Sequence, residues 1–192
     1  MILTTIIAIW LAWWSHKARQ QREAVAALRK AGASVQYDCQ MQPLLLSNPR
    51  RMPDYWPEWL VDFVGIDYFA SVVYVSFHQE TVLFPNAISA RVNLTDHEFG
   101  LLKALPALEY LDLSHPKVTD AHLEHLKTLN RLQWINLSRT QVSDRGLEHL
   151  HGLTALEDLD LSDTQVTAAS MTRLQKALPK CEISTVRVSQ EP

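Results

Sequence analysis

A repeated pattern of apolar positions runs along the second half of the chain with a period of 24 residues. In each unit, apolar residues stand at the first, fourth and sixth positions, and a valine follows five residues later. Because apolar and polar residues alternate over its first part, each unit predicts a short strand with one buried face. The three units are Leu108, Leu111, Leu113 and Val118; Leu132, Ile135, Leu137 and Val142; and Leu156, Leu159, Leu161 and Val166.

The second part of each unit predicts a short helix. The valine is followed by Thr119-Asp120, by Ser143-Asp144, or by Thr167 alone, and such side chains cap the free N–H groups of a helix start. An apolar ladder then recurs at every third residue: Leu123, Leu126 and Leu129; Leu147, Leu150 and Leu153; Met171 and Leu174. One unit could not bury this ladder alone, whereas stacked units could.

Self-similarity at this period is typical of a solenoid. The Lxx(L/I)xL spacing with its valine and polar pair resembles the leucine-rich repeat family, in the bacterial subtype that reads LxxLxLxxTxVTDxGLxxLxxL. The resemblance implies an α/β leucine-rich repeat solenoid over residues 72–186, with parallel strands on the concave side and helices on the convex side. Thr140 and Thr164 then occupy the place of an inward asparagine that bonds the loop backbone, and Pro116 cannot play that role.

The first repeat is longer than the others. Val72, Val75 and Phe77 fit the strand template 36 residues before its next occurrence, whereas Leu94-Thr-Asp96 precedes Val118-Thr-Asp120 by 24 residues. About a dozen extra residues therefore lie between Val82 and Leu94, where we expect an additional strand or hairpin. Thr95 to Glu98 forms a capping-box sequence, so the unit resumes with a helix.

Residues 17–71 are expected to form a small α/β cap on the first repeat, and residues 187–192 a polar tail. Ala18 to Ala31 has a helical composition with Gly32 as its stop signal, and Val35 and Tyr37 alternate like a short strand. A short helix is expected from Pro57 to Gly65, in a segment similar to the cap that precedes the repeats in related bacterial proteins.

Residues 1–16 contain the run MILTTIIAIWLAWW, which has no charged side chain. At helical rise the run reaches about 21 Å, short of a hydrocarbon core of about 30 Å. A membrane anchor, a cleaved signal peptide and a core helix are all open interpretations. The basic n-region and the small-residue cleavage site of a signal peptide are both missing from this stretch.

We expect membrane attachment from this segment, as an anchor or as part of a longer transmembrane helix. Trp10, Trp13 and Trp14 lie next to Lys17 and the arginines that follow it, as in an aromatic belt beside lipid headgroups. Residues 17–25, KARQQREAV, are also similar to the helix that follows the N-terminal hydrophobic segment in related proteins. Because the positive residues follow the apolar run, the repeats would lie on the cytoplasmic side.

The composition excludes several classes of function. The net charge is −3 and the cations are scattered, so the sequence shows no nucleic-acid footprint. Cys39 and Cys181 lie far apart without a CxxC motif, and we interpret them as reduced, buried thiols. The chain has 8 histidines, but His125 and His149 belong to a repeated Leu-Glu-His-Leu, expected to face solvent, and no further ligands stand at zinc spacing.

Motifs for catalysis or for a cofactor are also missing from the sequence: it contains no GxSxG, HExxH or phosphate-binding loop. Asp112, Asp158 and Asp160 could pair as carboxylates, but they occupy outward strand positions where polar residues are expected anyway. We therefore expect neither an enzyme nor a metal or cofactor site.

The concave face is the candidate binding surface that the family resemblance implies. Tyr110 and Trp134 fall in register on neighbouring strands, which indicates either a hot spot for a protein or peptide or two aromatics that pack on each other. An aromatic centre with an acidic border would favour lysine or arginine beside an apolar side chain. The candidate partner-binding residues are Tyr110, Asp112, Trp134, Asn136, Asp158 and Asp160.

The sequence thus predicts a non-catalytic protein-interaction scaffold, tethered to a membrane, with an unidentified protein or peptide partner. One alternative is a substrate-receptor subunit of a ligase-type complex, since similar repeats follow F-boxes. Residues 1–71 show no helical bundle of that kind, which counts against it. Another alternative is a small hydrolase, which the missing motifs disfavour.

Overall fold

The computed structural model describes residues 2–37, 71–77 and 94–185 of the chain, and side chains from residue 12 onward. The helix expected from Pro57 to Gly65, the insertion between Val82 and Leu94, Cys39 and the tail at 187–192 lie outside the described residues.

A single sheet of six strands follows the order of the chain. Its first pair, β1 and β2, is antiparallel, and every later neighbour is parallel. The strands are β1 (Ser34–Tyr37), β2 (Val72–Ser76), β3 (Tyr110–Asp112), β4 (Trp134–Asn136), β5 (Asp158–Asp160) and β6 (Glu182–Ser184). Parallel strands joined through helices in repeated units form the leucine-rich repeat solenoid that the pattern predicts.

The strand register confirms the spacing of the apolar positions. Leu111, Ile135 and Leu159 stand opposite one another on β3, β4 and β5, as the 24-residue period requires. Val75 pairs with Leu111, which confirms the 36-residue offset of the first repeat. Alternation along each strand then directs every second side chain into the core.

The convex side consists of short helices that tighten into 3-10 turns. Each helix starts at an aspartate or alanine after a Thr or Ser cap: α2 (Asp96–Leu101), α3 (Asp120–Leu123), α4 (Asp144–Leu147) and α5 (Ala168–Ala177). Turns of 3-10 helix continue the first three, at Leu102–Ala104, Glu124–Thr128 and Glu148–Leu150. The three-residue period explains this geometry, because a 3-10 helix has 3.0 residues per turn and aligns every third side chain.

The first helix, α1 (Ile2–Lys30), is continuous through the boundary at residue 16 that separates the apolar run from the cap. It ends at Lys30, and Gly32 follows with a φ of 96°, the left-handed conformation expected of a stop signal, while Ala33 N–H donates to the Leu28 carbonyl. No helix in the described ranges is both long enough and apolar enough to cross a bilayer.

The second half of α1 forms the first layer of the convex side. This half of the helix contacts α2 and the turn that follows it. Its buried residues repeat at helical spacing: Ala18, Gln21, Ala24, Val25 and Leu28. Together with the antiparallel β1, this half of the helix covers the open end of the first repeat. The cap therefore uses the part of α1 that follows residue 16, together with β1.

One continuous core runs through the stack. The three strand positions of every regular unit and the helical ladder are at most 2% exposed from Leu108 to Leu161. Thr140 and Thr164 donate their hydroxyls to the carbonyls of Leu137 and Leu161 at 2.7 and 2.6 Å, so both bond the loop backbone as the resemblance implies. The capping box is also present, since Thr95 N–H donates to the Glu98 carboxylate.

Neighbouring repeats are joined by the aspartates that follow the caps. Asp120 accepts the backbone N–H of Ser143 at 2.7 Å and its hydroxyl at 2.6 Å. Asp144 accepts the same two groups of Thr167 at 2.7 and 2.8 Å, and the Ser170 hydroxyl at 2.6 Å. Hydrogen bonds from Ser170 and then Thr167 hold the pKa of Asp144 below its ordinary value. We call these contacts the aspartate junctions.

Gly146 makes room for the junction between the second and third repeats. A Cβ atom on this residue would lie 2.5 Å from Asp120 Oδ1 and 3.0 Å from carbons of Leu123 and Val142. Glycine is therefore required at position 146, because side chains of the preceding repeat approach its backbone closely. In the next repeat the corresponding residue is Ser170, whose hydroxyl joins the junction instead of crowding it.

Gly146→Ala is expected to destabilise the chain by about 1–3 kcal/mol, because the methyl group displaces the Asp120 carboxylate from Ser143 in a tightly packed site. Chemical denaturation of the full chain measures this loss. Gly100→Ala is the matched control: its Cβ meets nothing within 4 Å, so it should be neutral or stabilising by up to about 1 kcal/mol. Equal effects of the two substitutions would contradict the role given to Gly146.

Candidate functional site

The strand residues between the buried positions form two rows across the concave face. The register brings all six predicted site residues onto this face and adds members at both ends. The first row, here called the outer row, is Tyr74, Tyr110, Trp134, Asp158 and Glu182. The second, here called the turn row, is Ser76, Asp112, Asn136, Asp160 and Ser184.

The turn row caps the bends that end the strands. Asp112, Asn136 and Asp160 each use Oδ1 to accept the N–H two residues ahead, at 3.0, 2.9 and 2.8 Å. Such bonds turn the chain and hold the side chain against its own loop. These three predicted site residues are thus already engaged within the fold.

Asp112 departs from the sequence interpretation, which placed it at an outward, solvated position. Only 8% of Asp112 is exposed. Its second carboxylate oxygen accepts the Ser76 hydroxyl at 3.3 Å, and its first also accepts the Ser114 hydroxyl at 2.6 Å. The carboxylate is buried because the hydroxyls of its own loop and of β2 replace water around it.

The outer row carries the aromatic side chains of the face. Tyr110 and Trp134 pair directly on β3 and β4, as their spacing predicts, and both are half-buried. Tyr74 extends the row onto β2, where it pairs with Tyr110. Sequence reasoning missed Tyr74, although the 36-residue offset that places Val75 opposite Leu111 also places Tyr74 opposite Tyr110.

Tyr110 and Trp134 do not stack on each other. Among the described residues, Phe77 stacks with Phe99 and Phe99 stacks with His122, both on the interior side, whereas no ring contact joins Tyr110 to Trp134. Stacking of the two rings on each other therefore does not account for their placement. Their rings remain half-buried at the centre of an otherwise polar face.

Negative charge borders the aromatic row. Burial, and then the carboxylates of Glu109 and Glu157, raise the pKa of Tyr110. Asp158 and Glu182 continue the outer row beyond Trp134, and both are exposed. No lysine or arginine occupies the described positions of either row or the residues directly before β3, β4 and β5. The face therefore combines aromatic surface with an uncompensated acidic border.

His122 has a structural role on the other side of the molecule. Its ring stacks on Phe99 with centroids 4.4 Å apart, Nδ1 accepts the N–H of Thr119 at 2.9 Å, and Nε2 lies 3.5 Å from Asp96. The imidazole thus stands between Asp96 and Thr119, where the later repeats have a direct aspartate junction. Burial lowers the pKa of His122, partly opposed by Asp96 and reinforced by His125.

His125, His149 and Cys181 serve the packing of the repeats. In the described part of the chain, no three His, Cys, Asp or Glu side chains gather as a metal site. His125 and His149 are partly buried rather than solvent-facing, since both sit beside the leucine ladder. Cys181 is buried as expected, and this burial, with Asp158 nearby, raises the pKa of its thiol to about 11.

Two shallow cavities lie at the open end of the last repeat, away from the outer row. Their volumes are about 290 and 350 Å³, and Met171 lines both of them. The first is otherwise formed by Leu161, Asp163, Val166 and two threonines, and the second by Ile183 and the side of α5. Apolar side chains of the last repeat thus line both cavities.

Comparison with known proteins agrees with this architecture. A leucine rich repeat family model matches residues 106–166. The matched segment comprises the regular repeats of the solenoid described above, and leucine-rich repeats are typically non-catalytic and generally form protein-interaction scaffolds. No curated protein sequence matches it significantly.

Matches to solved structures are distant and partial. The Chaetomium Mex67:Mtr2 subunits match with 19% identity and a TM-score of 0.38, over 50% of this chain and 74% of that one. Two Listeria monocytogenes internalins, C2 and F, match with 20% and 17% identity and TM-scores of 0.33 and 0.30. Each match covers 47% of this chain, and 49% and 33% of the respective internalin, so the chain spans half of these proteins or less. These matches do not bear on a bacterial origin.

Acidification is expected to weaken the repeat stack through His122. Because the folded pKa lies below the ordinary 6.5, the unfolded chain binds the proton more readily. The contribution of His122 to stability is therefore complete above 6.5 and is lost as the pH falls through the folded pKa. Denaturation between about pH 7.5 and pH 5 measures the loss, in the range where histidine titrates.

The control for this effect is His122→Gln, which does not titrate. Its amide oxygen can accept the Thr119 N–H as the Glu98 carboxylate accepts that of Thr95. The variant should lose less stability over the same pH range. His115, whose pKa burial and then Lys117 lower, remains in both chains. An identical pH dependence in both would contradict the assignment to His122.

Proposed function

We propose that the chain is a protein-interaction scaffold that binds a protein or peptide on its concave face. The observation that carries the proposal is the outer row, with Tyr110 and Trp134 in register at its centre. Half-buried aromatic side chains on a sheet face lose little conformational entropy on binding and offer large apolar area. Aromatic anchors of this kind dominate the energetics of many interfaces.

The turn row supports the same surface indirectly. Asp112, Asn136 and Asp160 are held by their own loops, so they fix the strand ends beneath a partner. A rigid platform lowers the ordering cost of binding. We therefore assign the contact role to the outer row, and the supporting role to the turn row.

Trp134→Ala should weaken partner binding at least about thirtyfold, since truncation of an aromatic anchor commonly costs 2 kcal/mol or more. Asp158→Asn should act mainly at low salt, because charges at the border of an interface tune association more than affinity. Titration calorimetry with a purified partner measures both. Glu124→Lys with Glu148→Lys changes the convex side and serves as the control. If this pair abolishes binding while Trp134→Ala binds normally, the interface is convex.

We further propose that the N-terminal half of α1 attaches the chain to the surface of an anionic membrane. Trp13 is 57% exposed and Trp14 37%, although tryptophan is usually covered in folded domains. Lys17 Nζ lies 5.5 Å from the centroid of the Trp13 ring, and exposed Arg19 and Arg22 follow on the same helix. Aromatic and cationic side chains in this arrangement suit the headgroup region.

The cytoplasmic location of the repeats is part of this proposal. Cytoplasmic leaflets carry the anionic lipids that attract basic segments, which Lys17 and the arginines of α1 provide. Since α1 continues from the apolar run into the packed cap, attachment would hold the solenoid directly at the membrane surface.

The full chain should float with phosphatidylcholine vesicles that contain phosphatidylglycerol, and less with vesicles of phosphatidylcholine alone. Trp13→Ser with Trp14→Ser should reduce flotation, because it removes apolar surface from the headgroup region. Trp134→Ala is the matched control and should float like the unaltered chain. Equal flotation of the double variant and the unaltered chain would refute this mode of attachment.

A further inference from the structure

The outer row is graded along the solenoid. Its members on β2, β3 and β4 are aromatic, and its members on β5 and β6, Asp158 and Glu182, are exposed carboxylates. The row therefore changes from apolar to acidic between β4 and β5. A partner that covers it must match both parts in the same order.

Carboxylates also stand directly before the strands. Glu157, before β5, is exposed and extends the acidic end, whereas Glu109, before β3, is half-buried. The turn row does not neutralise these negative charges, because it contains no lysine or arginine. Its acidic members, Asp112 and Asp160, accept backbone N–H groups. Arg139 lies beyond the strand, where its Nε is 4.0 Å from Asp163. The acidic end thus lacks a basic partner within the described rows.

We propose that the partner is an extended peptide segment with an apolar or aromatic side chain and, about three residues from it, a lysine or arginine. The proposal rests on the concave face being the binding surface. The apolar side chain would lie over Tyr110 and Trp134, and the cation between Asp158 and Glu182. Because an extended chain can cross the strands in either direction, the cation can precede or follow the apolar residue.

The spacing follows from the sheet. Neighbouring strands are about 4.8 Å apart, so the row advances about 10 Å from Trp134 on β4 to Glu182 on β6. An extended chain advances about 3.3 Å per residue and covers that distance in about three residues. A cation adjacent to the apolar residue would fall short of Glu182, and one much farther away would pass the sheet edge.

Peptide selection on the full chain tests the proposal. A phage-displayed library of random short peptides is selected on immobilised protein, and the enriched peptides are then synthesised. We expect enrichment of lysine or arginine about three residues from an apolar or aromatic residue. Replacing that cation by glutamate should weaken a selected peptide at least about tenfold. Asp158→Lys with Glu182→Lys should shift the selection to acidic peptides at the same spacing.

The outcomes separate this inference from the proposed function. Selected peptides that require Trp134 but show no cation would refute the proposed peptide, while the concave face would remain the binding surface. An unchanged selection after the charge reversal would have the same meaning. If the selected peptides bind Trp134→Ala as well as the unaltered chain, or if no peptide is enriched, both proposals fail. Glu124→Lys with Glu148→Lys is the control and should leave the selected sequences unchanged.

Discussion

Each repeat depends on its neighbours because its apolar stripe is too large for one unit to cover. A three-residue strand and a single helical turn have almost no independent stability, and the core forms only when Leu111, Ile135 and Leu159 meet in register. This lateral stacking also explains the cap. The second half of α1 and β1 cover the first repeat and close an end that would otherwise expose apolar surface.

Polar groups set how closely the repeats approach. Asp120 and Asp144 each accept a backbone N–H and a hydroxyl of the next repeat, so these two junctions satisfy a helix start from outside its own unit. One position of each repeat faces the junction, and its residue differs with the available space. It is histidine at 122, glycine at 146 and serine at 170. Between Asp96 and Thr119 the imidazole of His122 takes the place of a direct aspartate contact, so this junction responds to pH.

The same geometry leaves the concave face available for function. Strand alternation sends the leucines inward and the outer row outward, and parallel pairing aligns that row across all the repeats. Side chains of the turn row hold the strand ends through hydrogen bonds. Aspartates on the same face therefore have different roles in the two rows. Asp112 is a buried structural carboxylate, whereas Asp158 on the outer row is exposed, although both stand on the same face.

The sequence alone determined the repeat period, the register, the buried ladder and the pairing of Tyr110 with Trp134, because these follow from local alternation and a fixed spacing. The 36-residue offset of the first repeat also places Tyr74 opposite Tyr110, but the sequence analysis did not include Tyr74 among the site residues. Only the tertiary structure decided the burial of Asp112, the Asp120–Ser143 and Asp144–Thr167 junctions, and the continuity of α1 into the cap. The physical reason is that these features depend on partners in other units, whose distances are set by packing between layers rather than by the pattern within one unit.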